Sequence, residues 1–293
     1  MVTLPQRRAT VEHLVKRQKL SERKACAMVD MSRGSYRYRA QERPDEEWLR
    51  KRIKKLSEAR PRYGCLRIHA SLRREGLPVN KKRVHRIWKE EHLQLARKRP
   101  RRRYHGPSQV TRRITRPNEV WSYDFLEDRT DKGNRLRLLT MLDVFTRECL
   151  TIEVRKSMGH QEVIATLQRV FRERGTPEYI RSDNGPEFIA SRLREWLKAS
   201  GCQSSYITPG SPWENGHIES FHDKLRSECL NREVFRNGQE AQVVIELWRH
   251  EYNERRPHSS LNYRTPREFA ASYGNSVTAT PPLRTHSPEI PLL

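Results

Sequence analysis

Between Glu119 and Val154 the chain carries three strand-like runs, EVWSYDFLE, RLRLLTMLDVF and TRECLTIEV, the first two separated by the turn-rich DRTDKGNR. Consecutive runs of this kind, rich in β-branched and aromatic residues and joined by short polar turns, predict antiparallel neighbours in one sheet. The period then changes. HQEVIATLQRVFRERG has helical spacing and closes at Gly175, PEYIRSD is a short strand, PEFIASRLREWLKASG is helical, CQSSYIT is a strand, and a helix runs from about Asn215 to Leu230. Antiparallel strands followed by alternating helix and strand limit the chain to a mixed α/β sheet with helices on its faces. In such a sheet ligand groups gather at strand ends.

The first part of the chain obeys a different pattern. Residues 1–42 read as short helices, with ATVEHLVKRQ at helical spacing and Ser21 and Ser32 as caps. In 43–95 a helix from about Asp45 to Ala59 presents Trp48, Ile53 and Leu56, RIHASLRREG ends at Gly76, and Asn80 caps KKRVHRIWKEEHL. Val84 and Ile87 point inward on that last helix, while Lys81, Lys82, Arg83 and Arg86 point outward as candidate DNA contacts. Helix, Gly-containing turn, basic helix is the plan of a helix-turn-helix unit, and an ordinary helical packing module with a charged face has the same pattern. Residues 96–118 hold nine Arg or Lys and three Pro and read as a basic linker. After the sheet segment of 119–232, residues 233–273 hold one long helix and an ordered loop, and 274–293 form a Pro- and Thr-rich tail.

Charge follows the same division. Of 59 Lys and Arg and 36 Asp and Glu, residues 1–116 hold 35 and 11, leaving 24 and 25 for the remainder. All of the net +23 therefore lies in the first two fifths, which points to a polyanion, and nucleic acid is the commonest one in the cytosol. The five scattered cysteines never fall in a CxxC spacing, so neither a disulfide framework nor a zinc site is expected. With no apolar stretch of membrane length and no signal-peptide pattern, the expected location is the cytoplasm, without a membrane partner.

Three acids stand out by position. Asp124 lies inside the first strand, Asp183 at the end of the fourth in SDNGPEF, and Glu219 in the first turns of a helix. Each has an ordinary explanation, Asp183 as an Asx turn and Glu219 as a complement to the helix dipole. If the three meet, they repel unless a cation neutralises them, and oxygen-only ligands select Mg²⁺ or Mn²⁺. Two such ions suit in-line displacement at phosphorus.

WSYDF, SDNGPEF and SPWENGHIESFHDKLRSECLN resemble the three motifs of the DDE transposases, whose catalytic core is retroviral-integrase-like, and most closely the OrfB proteins of the IS-three family of bacterial insertion sequences. YNERRPHSSLNYRTPREF resembles that family's C-terminal signature, and RYGCLRIHASLRREGLPVNKKRVHRIWKEEHL its helix-turn-helix segment; together the similarity covers about 20–271. The resemblance implies a ribonuclease H-like five-stranded mixed sheet preceded by an all-α helix-turn-helix region. It implies a metal-binding catalytic triad of Asp124, Asp183 and Glu219, with Arg226 and Lys224 on the same helix as DNA contacts. Asn184, Gly185, Asn215, Gly216 and His217 are then site-shaping positions, and Asp143 is structural or at most supports the ligands from behind. The implied reaction frees a 3′-OH at the element's terminal inverted repeats and uses it to attack target DNA. Implied partners are double-stranded DNA, an upstream OrfA product supplied by frameshift fusion, and further copies of the chain in a synaptic complex. A DNA-binding regulator of transposition with little catalysis of its own is the alternative.

Overall fold

The computed structural model describes residues 3–39, 43–96, 114–183, 185–206 and 215–274. The chain divides into two compact units, Met1–Arg52 and Ile53–Leu293. Most of the expected basic linker, Asn184 and the C-terminal tail lie outside the described residues.

In the first unit α1 (Leu4–Arg17), α2 (Glu22–Met28) and α3 (Arg33–Arg37) surround Val11, Ala25, Cys26 and Met31. Ser21 and Ser32 accept hydrogen bonds from the Lys24 and Ser35 amides, as N-caps do. The first helix starts five residues earlier than its periodicity suggests, because Thr3 and Gln6 make a capping box ahead of it. The helix α4 (Glu46–Ala59) crosses the boundary between the units. Its buried face is Leu49 and Ile53, whereas Trp48 is exposed, so the expected stripe was one position out at its first member.

In the second unit α5 (Cys65–Arg74) and α6 (Lys81–Glu90) follow α4, with Ile68, Leu72, Val84, Ile87 and Trp88 buried. Gly76 ends α5 at φ +82°, a conformation that costs other residues strain, and Asn80 accepts from the Lys82 amide at 2.8 Å. The sheet contains β1 (Val120–Arg129), β2 (Arg135–Asp143), β3 (Cys149–Arg155), β4 (Tyr179–Ser182) and β5 (Gln203–Tyr206) in the order β3-β2-β1-β4-β5. The first three strands are antiparallel, while β4 runs parallel to β1 and β5 to β4. This is the ribonuclease H-like mixed sheet that the resemblance implied.

Helices cover both faces. Trp121, Tyr123, Leu139 and Met141 pack with α7 (His160–Arg174) and α9 (Ser191–Ala199). Leu126, Leu136, Leu138 and Ile152 pack with α10 (Gly216–Glu228) and α11 (Gly238–Glu254). The run after Asp183, read as one helix, is two: α8 (Pro186–Ile189) and α9 are separated by Ala190, whose backbone is extended at φ −53°, ψ 131°. The break lets Phe188 turn inward, edge-on to Tyr123 at 4.4 Å and stacked on Phe125 at 4.9 Å. Where an ordered loop was expected near the C-terminus, α12 (Pro266–Gly274) forms, opened by Thr265, whose hydroxyl accepts from the Glu268 amide. One free edge of the sheet is blunted by side chains. Gln242 of α11 accepts from Val154 N–H and donates to Ile152 C=O, and Asn253 does the same for both groups of Cys149.

Candidate active site

Side chains alternate across a strand, so the burial of Trp121 and Tyr123 on the α7 face puts Ser122, Asp124 and Leu126 on the α10 face. Strand β4 pairs with β1 through Val120↔Tyr179, Trp121↔Ile180 and Ser122↔Arg181. Two further steps of that register, beyond its last pair, would bring Asp183 level with Asp124 on the same face. The ladder stops just before these two acids, at the carboxyl end of β4, where a parallel sheet opens into a crevice. Over that face lies α10, which holds Glu219 in its first turn and is seated by Asn215: the Ser122 hydroxyl donates to Asn215 Oδ1.

The three carboxylates lie near enough for Asp183 and Glu219 to act on Asp124 by charge. Asp124, 22% exposed, has its carboxyl pushed up to about 7, first by burial and then by the charges of Asp183 and Glu219, against the pull of the Phe125 amide. Each strand acid rests on backbone: Asp124 Oδ1 accepts from Phe125 N–H at 2.7 Å and Asp183 Oδ1 from Gly185 N–H at 3.1 Å. As placed, no three His, Cys, Asp or Glu side chains among the described residues converge closely enough to share one ion. Gly185 has an ordinary φ of −58°, so conformational freedom is not its purpose. A Cβ there would stand 3.1 Å from Asp183 Oδ1 and 3.5 Å from Phe188, so the glycine leaves room for the carboxylate. Gly216 opens α10 with nothing near its Cβ position, and Asn184 lies outside the described residues.

One neighbour was missed in the sequence. His222, three residues after Glu219 and on the buried side of α10, meets the Thr140 hydroxyl at 2.7 Å and stands 3.8 Å from Asp124 Oδ2. Thr140 in turn donates to Asp124 C=O at 3.1 Å. That leaves His222 Nε2–H as the donor to Thr140 and a bare Nδ1 facing the carboxylate. Burial, and then Arg226, hold the ring down to about 4, so it is a neutral prop and not a counter-ion. The i, i+3 spacing was the available signal.

The remaining candidates spread outward. Arg226 is exposed and donates to Glu127 C=O at 3.3 Å. The ammonium of Lys224 donates to Ser220 C=O at 2.5 Å and is held down to about 8 by burial and by Arg256 and Arg67. His217 is partly exposed, and desolvation followed by Arg147, Arg181 and Lys224 hold it near 4. Asp143 is structural: its carboxylate accepts from the Asn118, Phe145 and Thr146 amides, each at 2.8 Å. Lys81, Lys82, Arg83 and Arg86 stand on α6, away from the carboxylates in sequence and element, with Arg86 bonded to Glu90 at 2.9 Å.

Integrase core domain families match residues 114–212 and 200–266, and an HTH-like domain family matches 44–101. An insertion element IS407 protein of Burkholderia multivorans is 40% identical over 89% of this chain and 94% of its own length. The transposase InsK of insertion element IS150 from Escherichia coli, itself described as putative, is 30% identical over 85% of this chain and 93% of its own. The chain belongs to the insertion-element transposases. Among solved structures, the transposase aligns with a chain in the cryo-EM structure of the simian T-cell lymphotropic virus intasome with a PP2A regulatory subunit. The overlay has 16% identity, covers 82% of this chain and 80% of that one, and with a TM-score of 0.49 is too loose to bear on chemistry. As a member of this family the transposase is a polynucleotidyl transferase acting on DNA, and no helix among its described residues is long and apolar enough to cross a membrane.

Proposed function

We propose that the transposase cleaves a phosphodiester at the terminal repeats of its element and joins the freed 3′-hydroxyl to target DNA, with Asp124, Asp183 and Glu219 as the oxygen ligands of Mg²⁺ or Mn²⁺. The observation that carries this reading is the β1–β4 register, whose last pair, Ser122↔Arg181, stands two residues before Asp124 and Asp183, together with the charge of Asp183 and Glu219 felt at Asp124. The donor set fits: three carboxylates, no sulfur, and enough mutual repulsion to help drive Asp124 towards 7. Two ions bound there would activate the attacking oxygen and stabilise the leaving one. The protein's own part is positioning. Thr140 and His222 brace Asp124, Asn215 ties the start of α10 to β1, and Arg226 and Lys224 lie further along that helix to hold phosphate. Gly185, Gly216 and His217 shape the surroundings of the acids.

On this reading residues 1–42 and 43–95 grip the element's ends, 96–118 spans phosphates, 119–232 is catalytic, and 233–273 supports it. Bringing two ends together calls for at least two copies, and an OrfA product contributes further DNA recognition. The working compartment is the bacterial cytoplasm, where the DNA lies. Asp183→Asn is expected to abolish nicking and joining of a terminal-repeat duplex in Mg²⁺ while leaving gel-shift binding largely intact. Unchanged cleavage in that variant refutes the assignment, and binding without cleavage by the unaltered chain in Mg²⁺ leaves the regulator reading standing.

A further inference from the structure

A second concave surface lies within the larger unit, away from the carboxylates. It is a cleft of about 650 Å³ lined by Arg67 of α5, Lys81, Lys82 and His85 of α6, and Ser259 and Tyr263 of the segment between α11 and α12. None of its nine lining residues is acidic, and Lys81 and Lys82 make no ion pair among the described residues. The far wall is built with strain. Asn262 and Tyr263 both hold left-handed backbone, at φ 54° and 63°, fixed by Tyr263 N–H donating to His258 C=O at 2.9 Å. A tyrosine in that conformation is uncommon, and such strain concentrates where a side chain has to be aimed. On the floor Arg67 has a buried Nε with no hydrogen-bond partner.

We infer that this cleft seats the sugar–phosphate backbone of duplex DNA, with Lys81, Lys82, His85 and Arg67 facing phosphates and Ser259 and Tyr263 closing the opposite side. The assignment rests on the functional reading above and extends it: the HSSLNYR segment becomes part of the DNA grip instead of a support. It also divides the basic face of α6, because Lys81, Lys82 and His85 line the cleft while Arg83 and Arg86 do not. Charge complementarity decides for a polyanion, because four of the nine lining residues are Arg, Lys or His and none is acidic.

The unaltered chain carries its own probe. Cys65, at the first position of α5, lines the cleft and is the one cysteine of five that is not buried. The test uses the full chain without divalent metal, a terminal-repeat duplex and a random-sequence duplex. Alkylation of Cys65 by N-ethylmaleimide, followed by mass spectrometry, should slow about tenfold when either duplex is bound. In fluorescence anisotropy, Lys81→Ala with Lys82→Ala should lower the slope of log K against log salt by about 2, and Ser259→Glu should weaken binding about tenfold. Lys132→Glu in the β1–β2 turn should change neither readout. Unprotected Cys65 together with unaltered binding by the cleft variants overturns this site alone. Failure of the unaltered chain to bind any duplex overturns both this site and the functional reading beneath it. Should Ser259→Glu not fold, Cys65 protection decides.

Discussion

Acid should loosen this protein through His258. The ring is buried among Arg256, Lys224, Arg147 and Arg67, and desolvation followed by those charges hold it down to about 3 from an ordinary 6.5. A depressed histidine is protonated in the unfolded chain before the folded one, so its contribution to stability is complete above 6.5 and is lost as pH falls from there towards 3. At pH 5 the loss is about 2 kcal/mol, from 1.36 kcal/mol per pH unit. For a unit of this size that is roughly 4–8 °C in melting temperature. His222, held near 4 by burial and Arg226, adds a similar loss. The comparison is between the unaltered chain and His258→Asn, whose amide can still meet Ser260 Oγ as the ring Nδ1 does at 2.9 Å. Thermal unfolding by circular dichroism at pH 7.5 and 5.0 supplies the readout. The constant cost of removing the ring cancels between the two pH values. The variant should lose fewer degrees than the parent on acidification, by roughly the 4–8 °C assigned to His258, and an equal loss would refute the linkage.

Two other substitutions probe the framework around the site. Glu228→Gln leaves Arg256, 2% exposed and held by Glu228 at 2.6 and 2.5 Å, without a counter-charge in the core. The expected cost is about 3–5 kcal/mol in urea unfolding, and replacing both residues by apolar ones of similar volume should recover most of it. Gly185→Ala puts a methyl group against Asp183 Oδ1 and should depress strand cleavage about tenfold or more with a melting temperature within a few degrees of the parent. A fully active alanine variant would show that the carboxylate does not need that space.

What could be read from the sequence was whatever depended on neighbours along the chain. The strand alternation around Asp124, the cap at Asn80 and the closure at Gly76 are local, and they stand where the residues put them. The face of α4 was misjudged at Trp48 because, in a helix with several apolar residues, a stripe through Leu49 and Ile53 differs by a single position. The break at Ala190 was hidden because nothing in the run forbids a helix there; packing of Phe188 against two rings of β1 imposes it. The tie between Glu228 and Arg256 joins residues 28 apart, and His222 acts through Thr140 of another element. No periodicity carries such information.

The three acids do not stand on equally stiff ground. Asp124 sits in the central strand, opposite Thr140 in a ladder that runs the whole length of β1 and β2, so its backbone opens only with the sheet. Asp183 follows the last residue of β4, and Glu219 occupies the first turn of α10, positions that exchange with solvent through small local openings. Of the three acids proposed as metal ligands, one is therefore fixed by the sheet and two sit at the ends of elements. On the proposed assignment, bringing Asp183 and Glu219 into register with a substrate calls for local work at a strand end and a helix start, with no repacking of the sheet.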